Sequence, residues 1–218
     1  MMLKKLAAFF FPPKCVLCRD LLQKGENGLC SRCISQVSTV SKGKFKVSFV
    51  ARWTSLWYYK DDVRRSILRY KFYGQRSYGP VYAALLAEKL RQEDMLDFDI
   101  LTYIPVSPLR RWKRGFDQMA LLGQFVAQEL GSECTKTLRK IRNAPAQSGI
   151  QGSAHRRANV LGAFQVLHPE AIRGKRILLL DDVLTTGATA SECARILLTA
   201  GAASVDLATL AISPGKHS

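Results

Sequence analysis

No stretch of this chain approaches the roughly 20 consecutive apolar residues that a membrane-spanning helix requires, so the sequence reads as soluble. A secretory leader is not expected either. Two lysines and a short apolar run open the chain, but Pro12 and Pro13 end the run early and no small-residue cleavage site follows. A short amphipathic helix over residues 1–11 is the expectation, and the chain is expected in the cytoplasm, with its inner membrane face as a further location. Acids are scarce: 17 Asp and Glu against 33 Lys and Arg give a formal charge of +16. Residues 1–80 hold only Asp20, Glu26, Asp61 and Asp62 among many bases. That imbalance favours a polyanion, an anionic surface or a phosphorylated ligand as partner, without choosing among them.

At 218 residues and 47% hydrophobic content the chain can bury one substantial core and a small satellite. Residues 1–48 read as the satellite, because residues 15–46 lack a steady period and are rich in turn pairs such as Lys24-Gly25, Asn27-Gly28 and Lys42-Gly43. Residues 49–218 read as the main domain. Periodicity predicts strands over residues 51–59, 100–106, 163–167, 176–180 and 204–212. Helices are expected over residues 61–72, 80–92, 117–130 and 189–198, with Gly131 and Gly201 as stops. Residues 138–159 are polar, basic and aperiodic, which predicts a long exposed loop. The alternation implies an α/β fold with a mostly parallel sheet flanked by helices, its ligands at the carboxyl ends of the strands.

The apolar run Ile177 to Leu180 ends on Asp181 and Asp182, followed by Thr185, Thr186, Gly187, Ala188 and Thr189 at the start of a helix. A buried strand would deliver two carboxylates able to accept hydrogen bonds from vicinal ribose hydroxyls. The helix start offers unpaired N–H groups, threonine hydroxyls and a glycine that lets the backbone approach a phosphate. Acids and loop together describe a sugar-phosphate site. The plainer alternative is a turn and a capped helix.

For a pyrophosphate, Val106 and Ser107 follow the strand over residues 100–106, and Arg111 and Arg114 come directly after. A solvated basic helix start would look the same. Gln147, Arg156 and Arg157 in the long loop are candidates for a mobile lid. No residue is assigned a catalytic role.

Cys15 and Cys18 form one CxxC pair, Cys30 and Cys33 a second, with eleven residues between the pairs. Two knuckles brought together by a turn-rich segment suit tetrahedral zinc, and a four-sulfur shell leaves no open position, so the metal would be structural. Two disulfides or four unrelated free thiols are the alternatives. Cys134 and Cys193 have no such partners.

The run from Leu178 to Thr189 resembles the phosphoribosyl pyrophosphate signature of type I phosphoribosyltransferases. That resemblance implies a type I phosphoribosyltransferase-like domain, with the acids on the ribose, the loop on the 5′-phosphate and Mg²⁺ accompanying the pyrophosphate. Joined to a four-cysteine zinc ribbon, it resembles the ComF family of bacterial natural transformation. The likeness includes Arg64, Tyr70-Lys71-Phe72, Val106-Ser107-Pro108, Arg114-Gly115-Phe116-Asp117-Gln118, Gln147 and residues 156–159. Asp117 stands where Asn is expected, Arg19 where Gly is usual, and Ala144 where Thr is common.

Similarity to ComF proteins implies handling of imported single-stranded DNA during DNA uptake, in company with a competence-associated DNA helicase. Lys44, Lys46, Arg64, Arg65 and Lys71, interleaved with Phe45, Phe49, Trp53, Trp57, Tyr58 and Tyr59, are the DNA candidates, although many of those rings could equally be core. The other reading is a working transferase that moves phosphoribose to a nucleobase-like acceptor.

Overall fold

The computed structural model describes residues 12–40, 45–142 and 160–214. The elements, in chain order, are α1 (Ser31–Gln36), β1 (Trp53–Tyr58), α2 (Asp61–Phe72), α3 (Tyr78–Gln92), β2 (Ile100–Tyr103), α4 (Pro108–Arg114) and α5 (Gln118–Leu130). Then follow β3 (Leu138–Lys140), β4 (Phe164–Val166), α6 (Pro169–Ile172), β5 (Arg176–Leu184), α7 (Ala188–Thr199) and β6 (Ser204–Ile212).

Four strands form a parallel sheet in the order β1-β6-β5-β2, and β3 pairs with β4 in a separate antiparallel ladder. β5 is central, and both of its faces are covered, which is why its sequence is a continuous apolar run rather than an alternating one. Its side chains nevertheless part by twos. Leu178 and Leu180 join a core with Ile67 and Tyr70 of α2, Leu86 and Leu90 of α3, and Met119 and Leu122 of α5. Ile177 and Leu179 join the other core, with Ala190, Cys193 and Leu197 of α7 and with Leu138 and Phe164 from the ladder. Truncating a fully buried leucine such as Leu180 to alanine would cost about 2–5 kcal/mol.

The ends of these elements follow from side-chain and backbone chemistry. The carboxylate of Asp117 accepts hydrogen bonds from the N–H groups of Met119 and Ala120 at 3.0 and 3.1 Å, so it caps α5, a task that Asn performs equally well. Gly131 ends the same helix at φ 63°. Pro80 sits in the first turn of α3, where a missing N–H is harmless.

The cysteine-bearing segment packs on the α2 and α3 side. Cys15, Val16, Leu17 and Leu29 share the core of those helices. Arg69 donates to the carbonyls of Val16 and Leu17 at 3.0 and 2.6 Å, and the Ser66 hydroxyl donates to the Val16 carbonyl. Gly28 abuts Val81, where a Cβ would stand 2.4 Å from a methyl carbon.

Several expectations need adjustment. Residues 138–140, read as the start of a loop, form β3, because Leu138 is fully buried and all three residues pair with β4. The expected turn after β2 continues into the helix α4, and the short helices α1 and α6 were not anticipated. β5 runs on through Asp181 and Asp182 to Leu184, so the acids lie within the strand rather than beyond it. The expected N-terminal helix, Lys44, Ala144, Gln147, Arg156 and Arg157 lie outside the described residues. Among those described, no helix is long and apolar enough to cross a membrane.

Candidate functional site

A cleft of about 490 Å³ opens between the carboxyl ends of β2 and β5. Asp181, Asp182 and Thr189 line one side, Pro105, Val106 and Arg114 the other. Lys71 and Phe72 enter from the end of α2, and Lys140 and Phe164 from the ladder. The register explains the placement, since Tyr103, the last residue of β2, pairs with Leu180 and the acids follow immediately.

The two carboxylates differ in their partners. Asp181 Oδ1 accepts the backbone N–H of Asp182 at 2.8 Å. Asp182 Oδ1 lies 2.8 Å from Lys71 Nζ, with only 11% and 17% of these two side chains exposed. Burial, and then the neighbouring Asp182 carboxylate, push the Asp181 carboxyl up to about 7, against the opposing pull of Lys71. Asp181 keeps a little solvent access at the cleft floor.

The threonine loop turns at Gly187, whose φ of 75° makes it the N-cap of the twelve-residue helix α7. Residues 45 and 47 back this turn: Val47 and Phe45 carbons lie 3.5 and 3.8 Å from where a Gly187 Cβ would be. The start of α7 brings to this loop the first-turn N–H groups and positive dipole end of a helix. Thr186 Oγ1 makes only a long contact, 3.4 Å, with the Ala188 N–H, and Thr185 is exposed. Thr189 lines the acid cleft, whereas Thr186 and Ala188 line a neighbouring shallow pocket of about 230 Å³ with Lys46, Glu192 and Arg195.

The other sequence candidates fall in different places. Val106 and Arg114 line the cleft; Ser107 is buried, its carbonyl accepting the Arg111 N–H, and Arg111 is exposed on α4. Lys46 and Arg64 are exposed, and Arg65 is paired with Asp62, its Nε 3.0 Å from Oδ1. Lys71, named among the DNA candidates, lies in the cleft against Asp182. Trp57, one of the interleaved rings, is core at 3% exposure. Lys140, Phe72 and Phe164 are cleft residues that the sequence alone does not single out as such, although Phe72 belongs to the Tyr70-Lys71-Phe72 triplet.

The four N-terminal cysteines converge. Their sulfurs all lie within 4.8 Å of one another, and Cys18 and Cys30 Sγ are 3.6 Å apart. Tetrahedral zinc with bonds of about 2.3 Å would hold sulfurs about 3.8 Å apart, so the set fits a single ion and is no pair of disulfides. Burial raises the Cys15 thiol, but N–H donors from Cys18, Cys30 and Leu17 outweigh it and bring the group down to about 7. Cys33 is pushed up by burial and its sulfur neighbours. Four sulfurs this close ionise together only around a cation.

The family of the phosphoribosyl transferase domain matches residues 120–218. Competence protein F of Haemophilus influenzae is 25% identical over 93% of this chain and 98% of its own length. Competence protein ComFC of Streptococcus pneumoniae is 27% identical over 88% of this chain and 96% of its own. DNA utilization protein YhgH of Salmonella typhi is 34% identical, over 57% of this chain and 58% of that relative. A glutamine phosphoribosylpyrophosphate amidotransferase from B. subtilis superposes with a TM-score of 0.44 at 19% identity, over 66% of this chain and 30% of that one.

Proposed function

The chain belongs to the ComF family of competence proteins, and from that premise we propose that it handles imported single-stranded DNA in the cytoplasm while binding phosphoribosyl pyrophosphate in its cleft. The observation that carries the sugar-phosphate reading is the shared cavity of Asp181, Asp182 and Thr189 at the end of a buried parallel strand. In this reading the two carboxylates accept the ribose 2′- and 3′-hydroxyls. The N–H groups of the first turn of α7, with Thr185, Thr186, Gly187, Ala188 and Thr189, hold the 5′-phosphate.

The pyrophosphate then lies toward Val106 and Arg114, with Ser107 and Arg111 close in sequence and Lys71 and Lys140 adding charge from the opposite walls. Mg²⁺, bound with the ligand, would offset pyrophosphate charge beside the carboxylates. Lys71 must release Asp182 as the hydroxyls arrive, and the freed ammonium stays in the cleft where the pyrophosphate enters.

Zinc on Cys15, Cys18, Cys30 and Cys33 completes the N-terminal module, and we take residue 48 as its boundary. The metal is structural, because four thiolates leave no open coordination position. Gln147, Arg156 and Arg157 remain the proposed lid, and Lys44, Lys46, Arg64 and Arg65 proposed DNA contacts. A competence-associated helicase is the proposed protein partner.

Two assays test this reading. Labelled single-stranded DNA should bind with a steep loss of affinity as salt rises; no binding at low salt would remove DNA handling by direct contact. Incubation with phosphoribosyl pyrophosphate, Mg²⁺ and a panel of nucleobase-like acceptors should release no pyrophosphate. Release with any acceptor would instead make the protein a working transferase.

A further inference from the structure

Four aromatic side chains are exposed among the described residues, and three of them occupy two abutting segments. Phe72 and Tyr73, at the end of α2, are 58% and 72% exposed, and Trp112 on α4 is 80% exposed. The segments are tied by arginines: Arg114 Cζ stands 4.5 Å over the Phe72 ring, and Arg76 Cζ stands 4.6 Å over the ring of Phe116. Arg76 also donates to the Gly115 carbonyl at 3.4 Å. Residues 70–80 and 105–116 contain no acid, and nearby Asp117 is engaged in capping α5. Three rings that would ordinarily be buried thus lie in water, Phe72 beside the Arg114 guanidinium, on two segments whose only charged residues are basic.

We propose that Phe72, Tyr73 and Trp112, with Arg76 and Arg114, form a stacking platform for the unpaired bases of single-stranded DNA, starting at the rim of the acid-lined cleft and leading away from it. The proposal rests on the reading that this protein handles single-stranded DNA. Chemistry separates the two surfaces. Deoxyribose has no 2′-hydroxyl, and an interior nucleotide has no free 3′-hydroxyl, so the sugars of a DNA strand offer Asp181 and Asp182 no donors, and its phosphates come against carboxylates. The platform has the opposite character: bases stack on its rings, and the positive charge of the guanidinium groups attracts the phosphates. Phe72 and Arg114 also line the cleft, so the platform begins at the cleft's rim. It lies apart from the strand β1, where Trp57 faces the core.

The test is fluorescence anisotropy of a labelled oligothymidylate with the full chain at low salt. Trp112→Ala with Tyr73→Ala should weaken binding on the order of tenfold or more. Both rings are exposed, so the near-ultraviolet circular dichroism of buried aromatics and the binding of phosphoribosyl pyrophosphate should stay as in wild type. An abasic oligonucleotide of equal length should bind wild type similarly weakly, and oligothymidylate should quench tryptophan emission in wild type but not in Trp112→Ala. Wild-type affinity in the double variant, or equal affinity for abasic and thymidylate strands, would overturn the platform while leaving DNA handling in place. Failure of wild type to bind any strand would overturn the DNA reading and the platform with it.

Discussion

Lys71 Nζ lies 2.8 Å from Asp182 Oδ1, joining the last turn of α2 to the end of β5 across the floor of the cleft. One ammonium against two adjacent carboxylates offsets part of their mutual repulsion. Both partners are mostly buried, so removing one strands the other.

Lys71→Met is therefore expected to destabilise the protein by about 1–3 kcal/mol, since Asp182 loses its cation in a poorly solvated place. Thermal melting checks this. An unchanged midpoint would mean that water already satisfies Asp182.

Asp181 gives the site a pH dependence. Its carboxyl is raised from 3.8 to about 7 by burial and then by Asp182, so folding favours its protonated form. That contribution is complete below about pH 4 and is lost as pH rises toward 7, and Asp181→Asn should flatten this decline in denaturant midpoints. Ligand binding runs the other way. Ribose hydroxyls need acceptors, so affinity for phosphoribosyl pyrophosphate should fall as pH drops below 7, by up to about tenfold per unit for a one-proton coupling. A flat profile between about pH 8 and about pH 6 would contradict it.

Arg19 adopts φ 72°, a left-handed conformation that costs a side-chain-bearing residue and suits glycine. Arg19→Gly is expected to stabilise the first knuckle by about 1 kcal/mol, read as a raised melting temperature at unchanged metal content. A lowered melting temperature would assign the Arg19 side chain a role that outweighs its backbone strain.

Cys15→Ser with Cys18→Ser should abolish zinc binding and unfold the segment around the knuckles, because the metal supplies folding energy that four sulfurs alone do not. Elemental analysis of purified protein checks the loss. The damage should reach α2, since Ser66 and Arg69 hold the Val16 and Leu17 carbonyls. A variant that kept its zinc and its melting temperature would refute the assignment.

Much of this architecture could be read from residue order. The first half of β5 was legible because a parallel strand buried on both faces must be apolar at every position; its continuation through Asp181 and Asp182 to Leu184 was not, since the acids read as the strand's end. The doubled CxxC was legible because ligand spacing is local. β3 was not, since three residues with Arg139 between Leu138 and Lys140 carry no period, and only pairing with β4 makes them a strand. The place of Lys71 was equally hidden. Its position in a basic, aromatic stretch suggests a surface contact, whereas the structure sets it in the cleft against Asp182. The aromatics mislead in one further respect: Trp57 looks like a stacking ring in sequence and is packing, while Trp112, in a basic run with no period of its own, is exposed.

The central claim is that Asp181 and Asp182 hold a phosphoribose. Isothermal titration of wild type with phosphoribosyl pyrophosphate and Mg²⁺ should give saturable binding, and Asp181→Asn with Asp182→Asn should lose it while keeping a folded circular dichroism spectrum. Equal binding by the double variant, or none by wild type, would contradict it.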